Sequence, residues 1–150
     1  MTNKLWEPSP ERIARANLTA FAAGVAARHG VDVDTYAKLW RWSVEHKASF
    51  WREMWSFGDV IGVPGDSVLV DADRMPGARW FPTARLNFAE NLLRHRDEHA
   101  ALVFVNERGS RREIPRRELQ DEVARVADGL RALGVGVGDR VAGFLPNLPE

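Results

Sequence analysis

Apolar residues recur at helical spacing through the first third of the chain. Ser9, Pro10 and Glu11 form a helix start, with an N-cap hydroxyl, a proline tolerated in the first turn and an acid favoured by the helix dipole. A second helix is predicted to begin near Asp34, and Gly30 and Gly58 stand where helices end. The pattern predicts three helices between residues 9 and 58 that share one apolar face: Ala14, Leu18, Phe21 and Val25; Tyr36, Leu39, Trp40 and Val44; Phe50, Trp51, Met54 and Trp55.

After Gly58 the pattern changes to short apolar runs between turn residues. A loop is predicted at residues 62–66, a short strand at 68–70 and a turn at Met75-Pro76-Gly77. Asn87 with Glu90 three residues later resembles a capping box, which predicts a helix carrying the four apolar residues that follow: Phe88, Ala89, Leu92 and Leu93. The remaining pattern indicates a hairpin, with strands at Ala101–Val105 and Arg111–Ile114 joined by a turn at Gly109.

The clearest helix is predicted from Arg116 to Leu133, with Gly134 ending it. Its apolar residues fall on one stripe, namely Leu119, Val123, Val126, Ala127, Leu130 and Leu133. A strand is predicted next, from Arg140 to Leu145. Because that strand is apolar on both faces, it indicates burial within a parallel sheet.

The last residues resemble the beginning of another helix. Asn147 is a suitable N-cap, Pro149 is tolerated in the first turn, and Glu150 stands three residues after the cap. A parallel strand needs a crossover of a dozen or more residues to reach its neighbour. We therefore expect the chain to be the N-terminal piece of a longer protein. The predicted fold class is mixed α/β, an N-terminal helical cap followed by the first strands and helices of a larger, truncated domain.

Composition narrows the classes of function. The 150 residues suit about one domain, and a hydrophobic fraction of 45% allows a core. The formal net charge is zero, which argues against nucleic acid and against an anionic membrane surface as partners. There is no cysteine, which excludes a disulfide framework and a thiol nucleophile within these residues. We expect a cytoplasmic protein.

Three motifs suggest chemistry, but each has a simpler interpretation. The first motif is a run of three glycines, Gly134, Gly136 and Gly138, which follows a predicted helix and precedes a predicted strand. A nucleotide-binding loop has the opposite order, because it follows a strand and precedes a helix. A plain turn between helix and strand is therefore favoured. His95 and His99 have a spacing that could place two metal ligands on one helix face, but no third ligand is evident, so a solvated helix end is favoured. His95-Arg96-Asp97 also resembles a kinase triplet, without the rest of the kinase motifs.

Six tryptophans are the most unusual feature of the composition: Trp6, Trp40, Trp42, Trp51, Trp55 and Trp80. Packing in a core is favoured, because a large ring buries about 150–250 Å². Stacking on bases normally requires a basic groove, which this neutral chain does not indicate. A third possibility is that some of these rings cover a face of a larger domain.

Three stretches carry a resemblance to a known family. Trp80 to Leu93, WFPTARLNFAENLL, is similar to the signature near the start of the AMP-forming acyl-CoA synthetases; we call it the signature segment. The resemblance continues into the next block of that family, at Glu118-Leu119, at GDRVA (residues 138–142) and at LPNLPE (residues 145–150). Its acetoacetyl-CoA synthetase branch is resembled by three further stretches: LWEPSPERI at residues 5–13, RWSVEHKASFW from Arg41 to Trp51 and MPGARWFP from Met75 to Pro82. Thr83 and Pro115 depart from the family pattern at positions without chemistry.

The resemblance implies a two-step ligase. ATP and a carboxylate, acetoacetate in this branch, would first give an acyl-adenylate and pyrophosphate. The thiol of coenzyme A (CoA) would then attack the adenylate, forming the acyl-CoA and releasing AMP. Mg²⁺ would offset the charge of the phosphates. The family's catalytic and nucleotide-binding motifs lie beyond residue 150, so no catalytic, cofactor-binding or metal residue is assigned here. The partners implied are the remainder of the enzyme and a small carboxylate, with no nucleic acid and no membrane. The chain alone is expected to be inactive.

The predicted organisation has three parts: a helical cap at 1–58, a connecting segment at 59–100 and the start of an AMP-binding domain at 101–150. Two alternatives remain open at this point. The chain could belong to an acetyl- or propionyl-CoA synthetase, since the acyl pocket that decides specificity is absent. It could also be a non-catalytic, aromatic-rich interaction module, which should unfold cooperatively by itself.

Overall fold

The structure is a computed structural model that describes residues 5–146, 148 and 149. It contains both helices and strands, as the sequence predicted, and divides into two compact units, Met1–Asn87 and Phe88–Glu150. None of the helices in the described part is long and apolar enough to cross a membrane. The predicted three-part organisation of the chain stays a prediction.

The first unit is built on four helices rather than the predicted three: α1 (Pro10–Ala14), α2 (Asn17–His29), α3 (Tyr36–Glu45) and α4 (Lys47–Phe57). The first predicted helix is interrupted because Ala16 has an extended backbone, with φ −72° and ψ 138°. The Thr19 hydroxyl donates a 2.6 Å hydrogen bond to the Ile13 carbonyl across the break. A local side-chain bond of this kind competes with the helical pattern and satisfies the end of α1.

The predicted helix ends are close to those observed. Ser9 caps α1 by accepting a hydrogen bond from the Arg12 N–H, and Gly30 ends α2 in the left-handed conformation at φ 65°. The start predicted near Asp34 lies one residue further on, because the Thr35 hydroxyl accepts the capping bond from the Lys38 N–H. Turn chemistry therefore predicted these boundaries to within a residue.

A small core joins α2, α3 and α4. Its buried members are Phe21, Val25, Val33, Leu39 and Trp42, and Phe50 and Met54 pack against them. Packing in a core was favoured for the six tryptophans, and of these six Trp42 is the one that is buried. Trp42 is 6% exposed, whereas Trp40, on the other side of the same helix, is 56% exposed. Successive helical residues turn by about 100°, so two residues two apart cannot share a buried face.

Two small antiparallel sheets complete the first unit. Strand β1 (Gly62–Val63) pairs with β4 (Arg85–Leu86), and β2 (Leu69–Val70) pairs with β3 (Arg79–Trp80). The strand predicted at 68–70 is thus confirmed, and the turn at residues 75–77 joins the β2–β3 pair. The stretch predicted as a loop at 62–66 contributes one short strand.

The second unit contains α5 (Phe88–Leu92), β5 (Ala100–Val105), β6 (Arg111–Pro115) and α6 (Arg116–Ala132). The predicted hairpin is confirmed, since β5 and β6 pair antiparallel around Gly109, which has φ 78°. Strand β6 ends at Pro115, whose ring nitrogen has no hydrogen to donate. Helix α6 has the predicted bounds to within a residue, and Gly134 follows it at φ 88°.

The strand predicted from Arg140 to Leu145 is absent, and that prediction was wrong. Residues 139–146 have no regular structure, and the Phe144 side chain is fully exposed. The sheets of the described residues are three antiparallel pairs, so the predicted parallel sheet is absent there too. A strand forms only where a neighbour accepts its ladder of hydrogen bonds, and none of these strands pairs with this segment. The predicted helix start at Asn147 and Glu150 lies outside the described residues.

Candidate functional site

The glycine-rich stretch after α6 does not fit a phosphate. Gly134 lies at the C-terminal end of the helix, where carbonyl groups point outward, whereas phosphate sites use the amide groups of an N-terminus. The Gly136 N–H donates a 2.8 Å hydrogen bond to Oδ2 of Asp139, so that amide is already used. The preferred interpretation as a turn agrees with this geometry. The described residues in this stretch therefore do not fit ATP, and we derive no step through it.

The His95–Asp97–His99 region is a solvated loop. Helix α5 ends at Leu92, so the two histidines do not share a helix face. The His99 ring is 80% exposed, and its backbone N–H donates to Oδ1 of Asp97 at 3.0 Å. Within the described residues, no group of three or more His, Cys, Asp or Glu side chains could hold a metal ion.

The first unit also contains a charged cluster that was not predicted from the sequence. Glu53 of α4 has a side chain only 12% exposed, and both of its oxygens have partners on α2. Nε of Arg28 donates to Oε2 at 2.8 Å, and Nε2 of His29 lies 2.9 Å from Oε1. The signal available in the sequence was the position of Glu53 three residues after the core-flanking Phe50, on the same helix face.

Electrostatics favour the charged form of this carboxylate. The hydrogen bond from Arg28 holds the pKa of Glu53 below its ordinary value, and the contact with His29 acts in the same direction against the opposing effect of burial. The same contact raises the pKa of Arg28. The His29 ring also lies 5.1 Å from the ring of Trp42, so the cluster borders the core. The cluster therefore joins α2 to α4, and Glu53 and His29 also line an open cavity of about 280 Å³.

The first part of the signature segment is a packing element. Trp80 packs edge-on against Trp51 of α4 with 5.7 Å between ring centroids, and Phe81 lies 5.0 Å from Trp55. Phe81 has φ 43°, which is uncommon for a large side chain. Its N–H donates to the Val68 carbonyl at 2.8 Å, which holds that conformation. The segment thus fixes the β2–β3 pair onto α4.

In the second unit, ion pairs tie the loop after α5 to the start of α6. Arg117 bonds Glu98 at 2.7 Å and Arg116 bonds Asp97 at 2.9 Å. Hydrogen bonding from Arg117 lowers the pKa of Glu98. All these groups are substantially exposed to solvent, which screens such pairs and leaves each a small effect on stability.

The apolar stripe of α6 forms one wall of an open groove of about 560 Å³. We call it the α6 groove; its apolar lining is Leu119, Val123, Val126, Ala127, Leu130 and, from β6, Ile114. Pro149 lies at its edge. Val126 remains 60% exposed although it stands in the middle of the stripe. An apolar stripe of this kind normally faces a core, so the α6 groove is the best candidate for an interaction surface.

Family models match most of the chain. The model described as the N-terminus of acetyl-coenzyme A synthetase matches residues 36–92, and the model described as AMP-binding enzyme matches residues 88–150. The chain is thus similar to the N-terminal part of AMP-binding enzymes. The resemblance of its signature segment to this family is therefore confirmed.

The relatives that this chain matches are longer proteins. Acetoacetyl-coenzyme A synthetase of Rhizobium meliloti (strain 1021) is 42% identical over 146 residues, covering 97% of this chain and 22% of the relative. Acetoacetyl-CoA synthetase of Macaca fascicularis is 36% identical over 147 residues, covering 95% of this chain and 22% of the relative. The chain thus spans about a fifth of the length of these relatives and corresponds to their N-terminal part.

A relative of different name is nearly as similar. Malonamoyl-CoA synthetase of Penicillium aethiopicum is 37% identical over 151 residues, covering 95% of this chain and 21% of the relative. Among solved structures, Acetoacetyl-CoA Synthetase from Streptomyces lividans matches with a TM-score of 0.81 and 45% identity, over 98% of this chain and 23% of that chain. The chain thus has the fold of the N-terminal region of that synthetase.

Proposed function

We propose that the chain is the N-terminal part of an acetoacetate–CoA ligase. The full-length enzyme would join acetoacetate to CoA, using ATP and passing through an acyl-adenylate, with release of AMP and diphosphate. The observation that supports this most is the 42% identity to the Rhizobium acetoacetyl-CoA synthetase across 97% of the chain. The proposed cofactors and substrates of that enzyme are ATP, Mg²⁺, CoA and a small carboxylate.

The role proposed for this portion is structural. Its most buried charged group among the described residues, Glu53, is fully engaged in joining two helices, and its signature segment packs on α4. The chain would therefore supply a scaffold, while catalytic residues belong to the rest of the enzyme. The partner proposed for it is that remainder. We place the enzyme in the cytoplasm, where ATP and CoA are both supplied.

The choice of acyl substrate needs a direct test. Malonamoyl- and acetoacetyl-CoA synthetases are similarly close to this chain, and the family model for residues 36–92 carries the name of acetyl-coenzyme A synthetase. These similarities favour acetoacetate, and they keep acetate and propionate as a second candidate. Since a hydrophobic pocket discriminates one methylene by only about 1–3 kcal/mol, specificity must be measured on the full-length enzyme.

The experiment is a substrate panel with the full-length enzyme. AMP release and acyl-CoA formation are measured with acetoacetate, malonamate, acetate and propionate at matched concentrations. We expect kcat/KM to be highest for acetoacetate. A preference for malonamate, acetate or propionate would overturn the assignment of substrate. Absence of AMP release with all four would overturn the ligase activity and favour the non-catalytic interaction module.

A further inference from the structure

We infer that the cavity beside Glu53 is a binding site for a small zwitterion of the α-amino acid class. The cavity has a volume of about 280 Å³ and is formed within the first unit, between the end of α2, the first turns of α4 and the segment that leads into β2. We call it the Arg52 cavity; its polar lining residues are His29, Ser49, Arg52, Glu53, Asp66 and Ser67. This inference does not depend on the proposed ligase activity, because it concerns binding alone.

The least exposed charge of the Arg52 cavity is already balanced. Glu53, whose side chain is 12% exposed, accepts a hydrogen bond from Arg28 through one oxygen and contacts the His29 ring through the other. Because the Arg28 guanidinium offsets the charge of this carboxylate, Glu53 contributes little net attraction or repulsion to a ligand. Recognition of a ligand therefore falls to the remaining polar residues of the cavity.

Two opposite charges, Arg52 and Asp66, line this cavity without pairing with each other. Within the described residues, neither side chain forms a salt bridge or a hydrogen bond. A guanidinium matches a carboxylate through two parallel hydrogen bonds, and an aspartate accepts hydrogen bonds from an ammonium group. An α-amino acid carries both of these groups on one carbon, so it satisfies both side chains at once. Because it has no net charge, it also matches a cavity with one positive and one negative unpaired group.

Two serine hydroxyls complete the polar lining. Ser49 belongs to α4 and Ser67 to the segment before β2, and both residues are half-buried. Neither hydroxyl has a hydrogen-bond partner among the residues that the structure describes. Because a hydroxyl both donates and accepts, each can bond either end of a zwitterion. Pockets for drug-sized ligands begin at about 300 Å³, so the size of this cavity favours an amino acid with a short side chain.

Both walls of the Arg52 cavity are held in place without a ligand. On α4 the lining residues recur at a spacing of three and four, so they share one helix face. On the opposite wall, the Asp66 N–H donates to the Thr83 hydroxyl at 3.3 Å, and the Val68 carbonyl accepts from the Phe81 N–H at 2.8 Å. Because the backbone of both walls is already fixed, little backbone freedom is lost when a ligand binds.

The test is isothermal titration calorimetry of the full-length protein with L-alanine as the probe. Ethylamine and propionate are the analogues that lack its carboxylate and its ammonium group. Arg52→Gln and Asp66→Asn each remove one of the unpaired charges. Lys47→Gln, at an exposed position on α4, and Asp73→Asn, also exposed, are matched controls that remove the same charges outside the lining. Circular dichroism checks that every variant is folded.

We expect saturable binding of L-alanine that Arg52→Gln weakens at least about tenfold, because the pair between guanidinium and carboxylate is lost. Asp66→Asn should weaken it by about fivefold or more, and each control by less than about twofold. Propionate binding that persists in Arg52→Gln belongs to another site, so only the part that depends on Arg52 is counted.

Three results would overturn the inference. The first is the absence of L-alanine binding, and the second is binding that Arg52→Gln leaves unchanged. The third is propionate binding that depends on Arg52 and is as tight as that of L-alanine, which would indicate a plain anion site. Ligase activity of the full-length protein is measured separately, so failure of either proposal leaves the other standing.

Discussion

The side chain of Glu53 accepts a 2.8 Å hydrogen bond from Nε of Arg28, which stands 25 residues earlier in the chain. The bond crosses from α4 to α2, and Glu53 is the buried charged residue of the described part. Because burying an unpaired carboxylate is costly, this contact sets how α2 and α4 are held together. Removing the Glu53 carboxylate is the most direct test of what stabilises the first unit.

Glu53→Gln should lower the free energy of unfolding by about 1 to 2 kcal/mol, since it removes a charge-assisted hydrogen bond whose arginine partner is half exposed. The measurement is urea denaturation followed by far-ultraviolet circular dichroism. Glu45→Gln, an exposed position on α3, is the matched control and should change stability by less than about 0.5 kcal/mol. Equal effects of the two substitutions would show that the contact contributes nothing.

The effect of Glu53 should depend on pH. Hydrogen bonding from Arg28 holds the pKa of the folded state below the ordinary value of 4.5, so the folded state favours the charged form. The stability that it contributes is fully present above that ordinary value and is lost as the pH falls through the pKa of the folded state. Denaturation of the unsubstituted chain and of Glu53→Gln should therefore converge in acid. A difference that stays constant as the pH falls below 4.5 would contradict this mechanism.

The two tryptophans of α3 should respond very differently to truncation. Trp42→Ala removes a ring that is 6% exposed and should cost about 3–5 kcal/mol, because a cavity is left in a small core. Trp40→Ala removes a ring that is 56% exposed and should cost less than about 1 kcal/mol. Denaturation midpoints measure both. Similar losses from the two variants would mean that the helix faces are assigned wrongly.

The 150-residue chain should neither bind ATP tightly nor form an acyl-adenylate. Gly134, a positive-φ glycine, lies at the C-terminal end of α6, and a phosphate cradle needs amide groups at an N-terminus. Exchange of labelled diphosphate into ATP in the presence of acetoacetate is the measurement, with the full-length enzyme as positive control. Exchange catalysed by the purified 150-residue chain at a rate above background would refute the prediction.

Local chemistry accounts for the elements that the sequence predicted well. Gly30 and Gly134 end helices because a residue without Cβ adopts the left-handed conformation at little cost. The turn at Gly109 sets the hairpin, and the 3.6-residue period of α6 defines its stripe. Each of these signals depends on residues a few positions apart, so each can be recognised in one sequence. The signature segment likewise carried the resemblance to acyl-CoA synthetases, which the comparisons confirm for the chain.

The sequence by itself therefore determined the bounds of most helices, the hairpin and the family resemblance. Only the tertiary structure decided that Trp42 rather than Trp40 enters the core, that Glu53 pairs with Arg28, and that Arg140 to Leu145 forms no strand in this chain. The physical reason is how far apart in the sequence the interacting residues lie. Caps and turns are stabilised by neighbours in sequence, whereas a buried face, a buried charge and a strand exist only where a distant part of the protein supplies the partner.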